Sequence, residues 1–217
     1  MTDSQIITFF KGVETGAVTD AMNLVQMGGW MDKILPMDDH LKLCGKAFTV
    51  RFEKNPPPGT PVLNIFEVMD LVEKEDVMVL SVPGDSAIVG ENIMNALCGK
   101  GIAGMVLDGK ARDTGIIRRD RLPLFCKGPC IRLETECKIT AVQVPVTCGG
   151  TAVNPGDYIV GDSDGVICIS AAQAEKLIYQ IERIVKIEDE LEQGIKSKVS
   201  MKRIAQISLK KKSLRVE

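Results

Sequence analysis

The chain is predicted to fold as a mixed, layered α/β domain, and three observations carry that prediction. Helix-like and strand-like segments alternate through the first half, and strand-like segments cluster in the second, a pattern that builds layers of helix on sheet. At 217 residues with 45% apolar side chains, the chain has material for one substantial core. No internal repeat, low-complexity tract or internal boundary splits it, so residues 1–194 are expected to form a single domain, with residues 195–217 a basic tail. Periodicity alone does not choose between stacked sheets and a doubly wound sheet.

The elements follow in order. Val18, Ala21, Met22 and Val25 recur at helical spacing after Thr15, and Gly28-Gly29 stops that helix. Residues 43–52 alternate around Phe48, Val50 and Phe52 and read as a strand, and Pro56-Pro57-Pro58-Gly59 is a loop. A helix is expected over 62–73, a fully buried strand over 77–82, a helix over about 90–99 and a strand over 102–107. Further strands are expected at 122–126, 138–146, 157–160 and 165–169. A final helix, 171–193, places Ala174, Leu177, Ile178, Ile181, Ile184 and Val185 on one face. A further apolar series, Val199, Met201, Ile204, Ile207 and Leu209, follows it.

Composition narrows the class. No run approaches the roughly 20 apolar residues of a membrane-spanning helix, and the start, Met1-Thr2-Asp3-Ser4-Gln5, lacks a basic secretory n-region. A cytoplasmic protein that does not engage a membrane is expected. Cys44, Cys98, Cys126, Cys130, Cys137, Cys148 and Cys168 are an odd number spread through apparent core strands, which argues against a disulfide framework. The loose spacing of Cys126, Cys130 and Cys137, with His40 the only histidine, does not suit structural zinc. Free thiols acting as small hydrophobes account for them better. The net charge of −2 divides into +7 over residues 195–217 and −9 over the rest. That basic tail has no aromatic residue for base stacking, so nucleic acid is not the expected partner. It is expected to settle on the acidic body of its own oligomer or to stay disordered.

Some local patterns mislead. Gly99-Lys100-Gly101-Ile102-Ala103-Gly104 spells a dinucleotide-binding signature, but a helix precedes it and a strand follows. Pyrophosphate binding needs the reverse order, so these glycines read as a tight turn. Asp162-Ser163-Asp164-Gly165 faintly resembles a calcium loop without its terminal glutamate, and reads as a hairpin turn.

The chemistry-bearing pattern lies between Pro83 and Asp113. Gly90-Glu91 is followed by twenty residues and then Arg112-Asp113. The intervening stretch reads as one helix and one buried strand, an out-and-back excursion that can return Asp113 close to Glu91. Two carboxylates beside a guanidinium suit a divalent metal next to an anionic substrate. A solvated helix start with a surface ion pair is the competing account of the same residues.

This run resembles the family of class II pyruvate aldolases that includes 4-hydroxy-4-methyl-2-oxoglutarate aldolase and the RraA-like proteins. The resemblance rests on the spacing of the two pairs and on the strand Met105-Val106-Leu107 ending in Asp108-Gly109. Further pieces follow in order: Thr15 to Asp20-Ala21, Gly45-Lys46-Ala47-Phe48-Thr49-Val50, Leu122-Pro123-Leu124-Phe125, and Pro155-Gly156-Asp157 through Asp162-Ser163-Asp164-Gly165-Val166. It spans about residues 15 to 192 and implies a swivelling β/β/α sandwich. It also implies a metal-dependent lyase that cleaves a 4-hydroxy-2-oxo acid to pyruvate, with oxaloacetate decarboxylase activity through the same enolate. On the family pattern Asp113 is the ligand of Mg²⁺ or Mn²⁺, and Arg112 holds the keto oxygen and carboxylate of the pyruvyl unit. Glu91 bonds the metal's waters. The start of the helix, with Gly90 and the N–H groups of Glu91, Asn92 and Ile93, seats the substrate carboxylate.

The sequence departs from that pattern in two places. Some members carry a glutamate shortly after a glycine in the C-terminal segment, whereas here Gly194 is followed by Ile195-Lys196-Ser197-Lys198. The position three after Asp113, often acidic in the family, is Ile116. A non-catalytic RraA-like regulator that binds an RNA-processing enzyme is the alternative, since such proteins share the fold and much of the motif. The resemblance further implies a homotrimer, or a hexamer of two trimers.

Overall fold

The structure, a computed structural model, describes residues 1–214, so the last three residues of the expected 195–217 tail lie outside the described residues. The chain opens with α1 (Asp3–Lys11) and α2 (Thr15–Leu24), followed by β1 (Trp30–Met31), β2 (Leu35–Pro36) and the long β3 (Leu43–Lys54). Next come α3 (Ile65–Leu71), β4 (Asp76–Ser81), β5 (Ala87–Val89), α4 (Glu91–Gly99), β6 (Gly104–Asp108), β7 (Lys110–Ala111) and α5 (Thr114–Arg119). The strands β8 (Leu124–Cys126), β9 (Cys137–Val142), β10 (Val146–Cys148), β11 (Thr151–Val153), β12 (Tyr158–Asp162) and β13 (Gly165–Ile169) precede α6 (Ala174–Lys196) and α7 (Met201–Lys212). The expected mixed α/β fold is what forms.

The chain divides into two compact units, Gly29–Ala171 and a helical unit of Met1–Gly28 with Ala172–Glu217. The larger is built on a sheet of order β1-β13-β12-β3-β4-β6-β8-β2, with β9 pairing β3. Its middle, β3-β4-β6-β8, is parallel. Both faces of these strands are buried, which explains their unbroken apolar runs. Met78, Leu80, Met105, Leu107 and Leu124 pack into one cluster with Val68 of α3, Met94 and Leu97 of α4 and Ile117 of α5. Val77, Val79, Val106 and Phe125 point the other way and pack with Val146, Cys148 and Val153 of the β10–β11 hairpin. The order of layers is therefore hairpin, sheet, helices.

Several boundaries differ from expectation for identifiable reasons. The helix expected at 62–73 starts only at Ile65, because Asn64 Oδ1 accepts the Phe66 N–H at 2.9 Å and caps it. The single strand expected over 138–146 is two strands in different sheets, broken where Gln143 turns left-handed (φ 52°) before Pro145. The signature-like glycines form the turn from α4 to β6, with Gly101 at φ +76°, as expected. Asp162 pairs with Gly165 at the β12–β13 turn. The helix α1 went unpredicted, although Thr2 and Gln5 form a reciprocal capping box in front of it. No helix among the described residues is long and apolar enough to cross a membrane.

All seven cysteines are free, and five of them are buried. Burial pushes the thiols of Cys126, Cys137, Cys148 and Cys168 up from their ordinary value. In the helical unit α6 buries Leu177, Ile178, Ile181 and Ile184, and α7 packs on α6 through Ile207. The basic segment is thus a helix settled on acids of its own chain. Lys211 Nζ lies 2.8 Å from Asp20 and 2.7 Å from Glu188, and Arg203 lies 3.6 Å from Glu190.

Candidate active site

The site is positioned by two very short strands. β5 and β7 run parallel with Ala87 opposite Lys110 and Val89 opposite Ala111. Parallel strands leave in the same direction, so the next residues, Gly90 and Arg112, emerge side by side. Arg112 N–H donates to the Val89 carbonyl at 2.9 Å, which pins that register. Each strand then opens directly into a helix, α4 after Gly90 and α5 after Asp113. The pair is tied to the following loop by Ala111 N–H on Gly128 (3.1 Å) and Cys130 N–H on Ala111 (2.8 Å).

Gly90 is extended (φ −138°, ψ −174°), a conformation open to any residue. What it supplies is space. A Cβ at Gly90 would overlap Asp113 Oδ2 and lie 3.4 Å from Arg112 Cγ. The absent side chain is the room the Asp113 carboxylate occupies, and this brings the Gly-Glu and Arg-Asp pairs together across twenty residues of sequence.

Asp113 is left-handed (φ 57°, ψ 28°) and stands at the N-cap of α5 without making a side-chain capping bond. Aspartate tolerates that conformation better than most residues, and local strain of this kind concentrates at functional sites. Its Oδ2 lies 3.5 Å from Arg112 Nε, with 43% of the arginine side chain and 38% of the aspartate exposed. An ion pair so open to water contributes little to stability, which leaves both groups available to a ligand.

Glu91 opens α4, and its Oε2 is buried with no hydrogen-bond partner among the described residues. A buried carboxylate oxygen without a partner is costly and calls for an explanation. Arg119 on α5 is electrostatically within reach. Its bidentate hydrogen bonds and charge interaction with Asp120 chiefly raise its pKa, and Glu91 adds a smaller contribution in the same direction. Gly90 supplies no side-chain cap, and the first helical bond runs from Met94 N–H to the Gly90 carbonyl at 3.3 Å. The N–H groups of Glu91, Asn92 and Ile93 therefore stand at the positive end of α4 without a side-chain cap. The Asn92 side chain is exposed, while Ile93 is half-buried against the core.

These donors fit a hard divalent cation. Asp113 and the unpartnered Glu91 oxygen are the carboxylate oxygens that could face one, and no group of three or more His, Cys, Asp or Glu side chains able to hold a metal occurs among the described residues. One carboxylate plus retained waters is how Mg²⁺ is commonly held. Asp108, at the end of β6, is otherwise engaged, because it accepts from Gly149 N–H at 3.1 Å and pairs with Lys127. Sequence reasoning passed over Arg119, whose available signal was its place on the helix that starts at Arg112-Asp113. It also passed over β5 and β7, which are too short to show periodicity.

Residues 15–168 match the family described as RraA-like, Aldolase/RraA. A protein of Halalkalibacterium halodurans named "Putative 4-hydroxy-4-methyl-2-oxoglutarate aldolase" is 30% identical over 195 residues, 89% of this chain and 90% of that protein. Among solved structures, an uncharacterized protein from Pseudomonas syringae pv. tomato superimposes with a TM-score of 0.82 at 23% identity, covering 93% of this chain and 97% of its own. Streptomyces coelicolor RraAS2, described as an unusual member of the RNase ES inhibitor RraA protein family, superimposes at 0.78 with 23% identity over 87% of this chain and 96% of its own. At these identities the two structures speak to the fold alone.

Proposed function

We propose that this chain, which belongs to the RraA-like (Aldolase/RraA) family, is a divalent-metal-dependent lyase that cleaves a 4-hydroxy-2-oxo acid to pyruvate and decarboxylates oxaloacetate at the same site. The observation that carries the reading is the Asp113 carboxylate seated in the space Gly90 leaves open, with Arg112 beside it. The name of the 30%-identical relative supports the reaction class. Residues 1–194 would carry the activity, with 195–217 a basic extension.

Retro-aldol cleavage removes the proton of the 4-hydroxyl and breaks the C3–C4 bond. The bonding pair moves into an enolate whose negative charge rests on the C2 oxygen, and protonation at C3 completes pyruvate. Arg112 binds the keto oxygen and the C1 carboxylate with its planar, permanently charged fork. The same guanidinium stabilises the enolate oxygen as charge grows there. The N–H groups of Glu91, Asn92 and Ile93 hold the other carboxylate oxygen at the positive end of α4. Asp113 would hold Mg²⁺ or Mn²⁺, which supplies Lewis-acid polarisation of the 2-oxo group when bound. Glu91 would orient bound water through its unpartnered oxygen and hold or pass on a proton there.

The test is incubation with oxaloacetate and with 4-hydroxy-2-oxo acids, with and without Mg²⁺, and assay of pyruvate. Pyruvate that forms only with the cation supports the reading. Absence of both turnover and cation binding would favour the regulator instead. We further propose a trimer, or a hexamer made from two trimers, as closed symmetry is the usual state of homo-oligomers. Light scattering against the 23.6 kDa chain mass tests it.

A further inference from the structure

Beside β5 and the first turn of α4, the two elements that flank Gly90, lies a cleft of ≈ 250 Å³ to which the proposed reaction assigns no role. Its walls include Phe52, Leu63, Leu80, Ile88, Ile93 and Ile139. Two of these bracket Gly90. Ile88 lies two residues before it, where the pairing of β5 with β7 shifts register, and Ile93 lies in the first turn of α4. Ile93 thus has its N–H at the proposed carboxylate seat and its side chain in the cleft.

Three polar side chains also line the cleft, and each has a partner nearby. Asn64 Oδ1 caps α3 on Phe66 N–H at 2.9 Å, Glu134 Oε1 accepts Glu136 N–H at 2.8 Å, and Lys138 Nζ donates to the Thr135 carbonyl at 3.2 Å. Lys138 keeps its charge, but the Glu134 carboxylate in the same lining offsets it, so the cleft offers a second acid no net positive charge. A dicarboxylate substrate needs an uncommitted cation or a cluster of donors at its far end. This wall is apolar instead. The cleft is also smaller than the roughly 300–1,000 Å³ that encloses a whole drug-sized ligand, so it suits a short side chain.

Resting on the reaction proposed above, we infer that this cleft receives the C4 substituent of the substrate, and that the substituent is a short hydrocarbon chain rather than a second carboxylate. The preferred substrates are then 4-hydroxy-2-oxoalkanoates, which yield pyruvate and an aliphatic aldehyde. Each buried apolar carbon contributes about fourfold in affinity, so an ethyl group at C4 should outbind a carboxylate there by more than about tenfold.

The test compares 2-oxohexanoate with 2-oxoglutarate as ligands, by competition for pyruvate production and by calorimetry in the presence of Mg²⁺. It uses wild type and Leu63→Lys, a position 39% exposed at the cleft mouth. Wild type should bind 2-oxohexanoate more than tenfold more tightly, and Leu63→Lys should cut that ratio at least fivefold by offering 2-oxoglutarate a cation. Equal or tighter binding of 2-oxoglutarate by wild type overturns the inference, as does an unchanged ratio in Leu63→Lys with the fold retained by circular dichroism. Calorimetry separates this from the reaction itself. The expected ligand preference without pyruvate formation from any hydroxy acid would sink the lyase reading and leave the cleft assignment standing.

Discussion

The centre of the sheet and the corner formed by β5, β7, α4 and α5 belong to one compact unit but follow opposite rules. Val77, Met78, Val79 and Leu80 are completely buried, alternate between two apolar clusters and carry no functional group. Forty residues of sequence or fewer away, the corner holds a left-handed aspartate, an unpartnered carboxylate oxygen, an exposed arginine and a helix start without a side-chain cap. The sheet is locally consistent at every level, and the corner breaks several local rules at once. That is the division expected when a rigid scaffold supports a reactive site.

Substitutions should therefore separate the two regions cleanly. Asp113→Asn keeps a residue that tolerates the left-handed backbone and removes only the charge. Pyruvate formation should disappear while stability changes by less than about 0.5 kcal/mol, read by coupled assay and urea titration. Met78→Ala should do the converse. Removing that buried side chain costs about 2–5 kcal/mol, with per-molecule activity retained in the fraction that remains folded. Equal stability loss in both variants would erase the contrast.

Arg112→Lys refines the picture within the corner. Lysine keeps the charge and loses the two-pronged fork. A fall of about tenfold or more in kcat/KM is expected, equivalent to about 1.4 kcal/mol of transition-state binding. Wild-type kinetics would remove Arg112 from the site.

The smallest effect belongs to the core thiols. Burial raises the pKa of Cys126, Cys148 and Cys168 in the folded protein, so between the unfolded and folded values the native state binds more protons than the unfolded chain. Their contribution is constant below the unfolded thiol pKa of about 8.5 and declines as pH rises beyond it. Denaturant midpoints should fall from pH 8 to pH 10, and replacing Cys148 with Ala should reduce the slope of that fall.

The same contrast explains what could be read from sequence. The central strands announce themselves, because Val77 to Leu80 and Met105 to Leu107 are unbroken apolar runs and only doubly covered strands need to be. The helix after Gly90 was equally plain. The pairing of β5 with β7 was not, since two or three residues show no period and their partnership is a tertiary contact. The spacing from Gly90-Glu91 to Arg112-Asp113 suggested proximity, but the reason for it, a missing Cβ that makes room for a carboxylate, exists only in three dimensions. The break at Gln143 and Pro145 was hidden because the residues on either side are both strand formers, in different sheets. The apolar cleft was invisible for a related reason, its walls coming from segments as distant as Phe52 and Ile139.

The central claim is that Asp113 anchors a divalent cation at a pyruvyl-binding corner. Titration of Mn²⁺ followed by electron paramagnetic resonance, on wild type and Asp113→Asn with pyruvate present and absent, tests it most directly. One Mn²⁺ per chain in the wild type, tightened by pyruvate and lost in Asp113→Asn, is the predicted result. Unchanged Mn²⁺ binding in the variant, or full wild-type pyruvate formation in excess EDTA, would contradict it.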